Sequence, residues 1–90
     1  MNSLFDKIAT VSSTIAYGEE QLTQKQKIAS GVEKDIDFYT KHGVNDTSQV
    51  LNELRIKRAM IIEEVRFHGR KLKELKDKRS SLLAKAKRVL

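Results

Sequence analysis

Lys41-His42-Gly43-Val44-Asn45-Asp46-Thr47-Ser48 is the one obvious loop signal in a chain of 90 residues, and it falls almost at the middle. Gly43 suits the left-handed position that follows a helix end, and Val44 can then fold back onto Tyr39 in a Schellman contact. Lys41 and His42 complement the negative end of that first helix. Asp46 is placed to cap a second helix, with Gln49 three residues later as a capping-box partner. At the other end of the first helix, Ser3 can cap with Asp6 in the first turn. These signals predict a first helix over 3–42, a loop over 43–46 and a second helix over 47–89, all within a single domain spanning 1–90.

Working outward from the loop, both halves carry heptads. Leu4, Ile8, Val11, Ile15, Gly18, Leu22, Lys25, Ala29, Val32, Ile36 and Tyr39 follow a strict four-three spacing, and nine of these eleven can bury a side chain. Leu51, Leu54, Arg58, Ile61, Val65, His68, Leu72, Leu75, Arg79, Leu82, Ala86 and Val89 continue it, with nine of twelve apolar. At 39% hydrophobic overall, chance would supply four or five in each set. Sustained a/d heptads mark a coiled-coil seam. The two seams also match each other. In an antiparallel hairpin, facing positions have residue numbers with a constant sum, and here each seam residue of the first helix has a partner at sum 90. Gly18 meets Leu72, Ala29 meets Ile61, Ile36 meets Leu54 and Tyr39 meets Leu51, so small faces large where layers must interdigitate. The expected fold is all-α, a long two-helix antiparallel coiled-coil hairpin whose helices of about 40 residues would each run roughly 60 Å. The alternative is a three-helix bundle broken at Gly18, because Gly18-Glu19-Glu20 could stop one helix and start another.

Composition narrows the rest. There is no proline and there are only four glycines, too few turn residues for a sandwich or barrel. Zero cysteines remove disulfides, thiolate catalysis and cysteine zinc sites, and fit a reducing, cytoplasmic setting. No run of about 18 apolar residues could span a bilayer, and the start, Met-Asn-Ser-Leu-Phe-Asp, lacks the basic and long apolar regions of a signal peptide.

Little points to chemistry. His42 sits at a helix end, where a cation is favoured. His68 lies on the seam one turn after Glu64, half of a metal site with no second half in view. The serines at 12, 13, 80 and 81 have no histidine beside them to act as base, and the scattered glycines form no phosphate cradle. No enzyme, metal or cofactor is expected. Lys25, Arg58 and Arg79 interrupt the seam, where they can lay their stems on it and set register.

Charge and exposed apolar residues point instead to binding. Residues 1–42 carry five basic and six acidic residues, and residues 43–90 carry thirteen and six. Within 66–90 there are ten basic and two acidic residues, Arg66, Arg70, Lys71, Lys78 and Lys85 among them. Such a segment attracts an acidic protein face, anionic lipid or nucleic acid. Ile56, Met60 and Phe67 lie off the seam on the outer face of the second helix, and Phe5, Ile28 and Phe38 lie off the seam of the first. A two-helix hairpin cannot bury these itself, so a protein partner or a homodimer is expected to cover some of them. Phe67 is the only aromatic in the basic segment, which leaves no stacking platform for single-stranded nucleic acid. The seam also uses up the apolar face that a membrane-surface helix would need.

Phe38-Tyr39-Thr40-Lys41, the loop at 43–46, Leu51 and the long Lys/Leu-rich helix after it resemble the Rho-effector homology-region-one domain, in the form found in F-BAR membrane-remodelling proteins of the Toca/formin-binding type. There too an aromatic closes the first helix and a leucine twelve residues on opens the second seam. Ile15-Ala16-Tyr17-Gly18-Glu19-Glu20-Gln21-Leu22 is similar to the I-x-x-G-A-E-N-L segment of the kinase-linked members. The resemblance covers about residues 4–80. It implies a non-enzymatic module that docks a GTP-loaded Rho-type small GTPase, and it assigns no individual contact residue. In length and helical character the chain also resembles tubulin-binding cofactor A, which would imply a small helical chaperone. The readings left open are a coiled-coil module docking a protein partner through Ile56, Met60, Phe67, Arg66, Arg70, Lys71, Lys78 and Lys85, and a basic helical binder of nucleic acid or anionic membrane.

Overall fold

The computed structural model describes residues 3–89; residues 1, 2 and 90 lie outside the described residues. Two helices make up the fold, α1 (Leu4–Lys41) and α2 (Gln49–Val89), and together they form an all-α helical hairpin. No strand occurs among the described residues. α1 passes through Gly18 and Gly31 without a break, so the three-helix alternative is not adopted.

The first cap is the expected one. The Ser3 hydroxyl accepts from the Asp6 amide at 3.1 Å, and the Asp6 carboxylate accepts from the Ser3 amide at 3.3 Å. This reciprocal pair satisfies two donors that a helix start leaves open. α1 ends in a Schellman motif: the Val44 amide donates to Tyr39 O at 3.0 Å and the Gly43 amide to Thr40 O at 3.2 Å. Gly43 sits at φ 77°, a region a Cβ disfavours. Val44 packs back with Tyr39 against the cluster of Val32, Ile36 and Leu51. A Cβ on Gly43 would touch nothing within 4 Å, so the strain of substitution there is purely conformational. Gly43→Ala should therefore cost about 1 kcal/mol. Urea unfolding should show a lower midpoint with an unchanged slope.

The start of α2 corrects the sequence expectation. The helix begins at Gln49 rather than 47, and Ser48 is its cap, not Asp46. The Ser48 hydroxyl accepts from the Leu51 amide at 3.3 Å. Asp46 is drawn elsewhere: Arg55 donates to its carboxylate and to its carbonyl, both at 3.0 Å. Asn45 tightens the intervening turn, its Oδ1 accepting from the Thr47 amide and hydroxyl at 3.0 Å. Gln49, freed from the capping box, donates to Glu53 at 3.1 Å.

Burial follows the heptads. All eleven seam positions of α1 are buried or half-buried. So are those of α2 except Val89, which is 75% exposed at the last turn. Contacts group the residues into two compact units, one of Met1–Leu22 with His68–Leu90 and one of Thr23–Phe67. In the first unit, Val11, Ile15, Leu72 and Leu82 form the core, with Leu4, Ile8, Leu22 and Leu75 packed against it. Its register is fixed at Gly18, where an added Cβ would come within 2.8 Å of Leu72 Cδ2. In the second unit, Val32, Ile36 and Leu51 are buried, with Tyr39, Val44 and Leu54 around them. Two of the three seam cations behave as expected of long side chains. Lys25 reaches Glu64 at 2.9 Å, and Arg58 reaches Glu33 at 3.5 Å, so each lays its stem on the seam and keeps its charge at the edge. No buried side-chain nitrogen or oxygen among the described residues lacks a hydrogen-bond partner.

Candidate interaction surface

The residues marked by sequence for binding fall on the outside of α2. In the second unit, Ile56 and Met60 are one turn apart, and Phe67 is two turns further on the same face. They are 62%, 63% and 49% exposed. Arg66 stands beside Phe67 and pairs with Glu63 at 3.0 Å. Phe38 is exposed on α1 of the same unit, edge-on to Tyr39 with centroids 5.5 Å apart and tilted against the His42 ring at 4.3 Å. These exposed carbons have no seam left to enter, because the seam is already filled by the heptad residues.

In the first unit, Arg70, Lys71, Lys78 and Lys85 are all exposed. This unit holds ten basic and five acidic residues, and the second holds eight and seven, so the first carries +5 of the chain's net +6. Lys71 pairs with Glu74 of its own helix at 3.7 Å. Lys76 crosses to Glu19 of α1 at 3.0 Å. Lys7, Lys78 and Lys85 form no ion pair among the described residues.

One feature of this unit was not expected from sequence. Lys7, Thr10 and Val11 of α1 and Lys78 and Leu82 of α2 line a shallow concavity of about 320 Å³, open to solvent. Lys78 belongs to the basic segment 66–90, while Lys7 and Thr10 stand outside it. The signal was present in the heptads. Lys7 and Lys78 both occupy the position just before a seam residue, Ile8 and Arg79, and so flank the seam on the same side.

The histidines gather no metal set: among the described residues, no group of three or more His, Asp or Glu could hold a metal ion. Glu64, the carboxylate one turn before His68, is paired with Lys25. No helix among the described residues is long and apolar enough to cross a membrane. Comparison with protein-family models, with curated proteins and with solved structures gives no match.

Proposed function

We propose that this chain is a non-enzymatic helical-hairpin module that docks a protein partner in a reducing, cytoplasmic setting. The observation behind this reading is the exposed row of Ile56, Met60 and Phe67 on α2. Aromatic and methionine side chains are the residues that interfaces concentrate and ordinary surfaces do not. The excess positive charge of Arg66, Arg70, Lys71, Lys78 and Lys85 adds long-range attraction for an acidic protein face. A GTP-loaded Rho-type small GTPase is the first partner to test, and a second copy of the chain is the other.

The two contributions separate kinetically. Rim charges act chiefly on association, and buried anchors on dissociation. Phe67→Ala should speed dissociation of the partner. Changing Lys71, Lys78 and Lys85 to Glu should slow association roughly tenfold or more and flatten its salt dependence, each charge contributing under about 1 kcal/mol. Surface plasmon resonance at several salt concentrations reads both effects. An unchanged dissociation rate removes Phe67 from the interface, and an unchanged association rate leaves the basic patch a solvated face. Sedimentation equilibrium at micromolar concentration reads self-association as a mass above 10.3 kDa. Steep salt-dependent binding to generic duplex DNA or to anionic vesicles would instead favour the rival reading, a basic binder of nucleic acid or membrane.

A further inference from the structure

The first unit has two flanks, and they are charged differently. On one flank the helices are tied by Lys76 and Glu19 at 3.0 Å. On the other, α2 presents Lys71, Lys78 and Lys85, and the corresponding positions of α1 are Lys7, Thr14 and Gln21. Coiled-coil helices normally place opposite charges at these flanking positions, and such pairs choose the partner and its orientation. Lys71 is paired with Glu74 of its own helix, while for Lys78 and Lys85 the flanking positions of α1 supply no carboxylate and add a third cation, Lys7. The concavity opens on this same flank, with Lys7 and Lys78 on its walls and Val11 and Leu82 at its floor. Beside it runs an uncharged stretch of α1, residues 8–18, on which Thr10 and Tyr17 are exposed, Tyr17 by 65%.

We infer that this flank receives a third helix, an amphipathic segment of a protein partner with apolar residues at heptad spacing and Asp or Glu beside them. The inference rests on the reading of the chain as a docking module and names the chemistry of what it docks. Lys78 and Lys85, neither of them in an ion pair among the described residues, are seven residues apart, about 10.5 Å along the helix. A helix with a carboxylate every seventh residue matches that step, and one of its apolar side chains enters the concavity. The volume, about 320 Å³, is at the small end of the roughly 300–1,000 Å³ of small-molecule pockets, and the site is open, which suits a side chain presented by a helix. A flat bilayer would meet the amines without reaching the floor between them.

The probe is a synthetic four-heptad peptide with Leu at a and d and Glu at e and g. Its like charges keep it from pairing with itself at neutral pH. NMR titration of the labelled protein should shift the amides of Lys7, Thr10, Val11, Lys78 and Leu82 together. A scrambled peptide of the same composition, and one with Lys at e and g, should leave them unmoved. Lys7→Glu with Lys78→Glu should weaken binding at least tenfold, with helicity by circular dichroism retained. Equal binding of the scrambled peptide overturns the inference, as does equal displacement of those amides by phosphatidylserine vesicles. Shifts confined to Ile56, Met60 and Phe67 overturn the flank and leave the docking module standing. No shift anywhere with the acidic peptide also overturns the flank, and loss of partner binding by the Phe67→Ala protein then still reports on the module separately.

Discussion

Leu51→Ala should be among the most destabilising single substitutions in the chain. Leu51 is the one large side chain among the described residues with no exposed surface, at 0%. It lies in the first turn of α2, its amide held by the Ser48 hydroxyl at 3.3 Å, and it packs with Val32 and Ile36 beneath the Tyr39–Val44 turn. Removing three carbons forfeits their transfer energy and leaves a cavity that the surroundings must fill. The backbone on one side is fixed by the Schellman bonds of Gly43 and Val44, which limits relaxation. The expected loss is about 3 kcal/mol, within the usual range of about 2–5 for a buried leucine. At roughly 4–8 °C per kcal/mol for a domain this small, the melting temperature should fall by more than about 10 °C. Ile56→Ala, on the exposed face of the same helix, should stay within about 0.5 kcal/mol. Calorimetry on both variants at one protein concentration decides the matter. Equal effects would mean that Leu51 is not the centre of a packed cluster.

The contrast between these two leucine-sized residues also shows what could be read without coordinates. The seam was legible because its period is set by backbone geometry, so Leu51 and Ile56 could be assigned to opposite faces from spacing alone. The hairpin pairing followed from the same period together with the loop: registers seven residues apart all let the seams face each other, and the turn centred on Asn45 selects sum 90. The helix-start at 49 was less legible. Asn45, Asp46, Thr47 and Ser48 are all capping residue types, and local preference does not choose among them. The choice was made by Arg55, nine residues away, which takes up Asp46 and leaves Ser48 to cap. Val89 fits the heptad but lies in the last turn of α2, and it is exposed.

The candidate surfaces divide in the same way. Ile56, Met60 and Phe67 could be found because an apolar residue off the seam is conspicuous on a helix whose seam is already complete. The Lys7–Lys78 concavity could not be found from a list of charges along the chain. It depends on which flanking positions of two helices face the same side, and that appears only when the flanks are compared helix against helix. The partner is not legible at all: heptad geometry constrains how this chain pairs with itself, and many acidic or apolar surfaces would satisfy the outward faces.

The pairing of Gly18 with Leu72 gives the second large effect and a direct test of register. Gly18 lies inside α1, where alanine is favoured over glycine by about 1 kcal/mol. Against that gain, the new Cβ would approach Leu72 Cδ2 to 2.8 Å, closer than side chains tolerate, and Leu72 is buried at 6% exposure. Overpacking of this kind costs about 1–3 kcal/mol, so Gly18→Ala alone should be neutral to destabilising despite the better helix residue. Leu72→Ala should lose about 3 kcal/mol, because the residue opposite is a glycine with no side chain to move into the space. In the Leu72→Ala background the obstruction is gone. Gly18→Ala should there stabilise by about 1 kcal/mol from helix propensity, plus whatever the added methyl recovers by filling the gap. The double-mutant cycle should thus show a coupling of about 1–3 kcal/mol between positions 18 and 72. Urea unfolding of the four proteins measures it. If Gly18→Ala has the same effect in both backgrounds, the two residues do not face each other, and the pairing of seam positions at sum 90 is wrong.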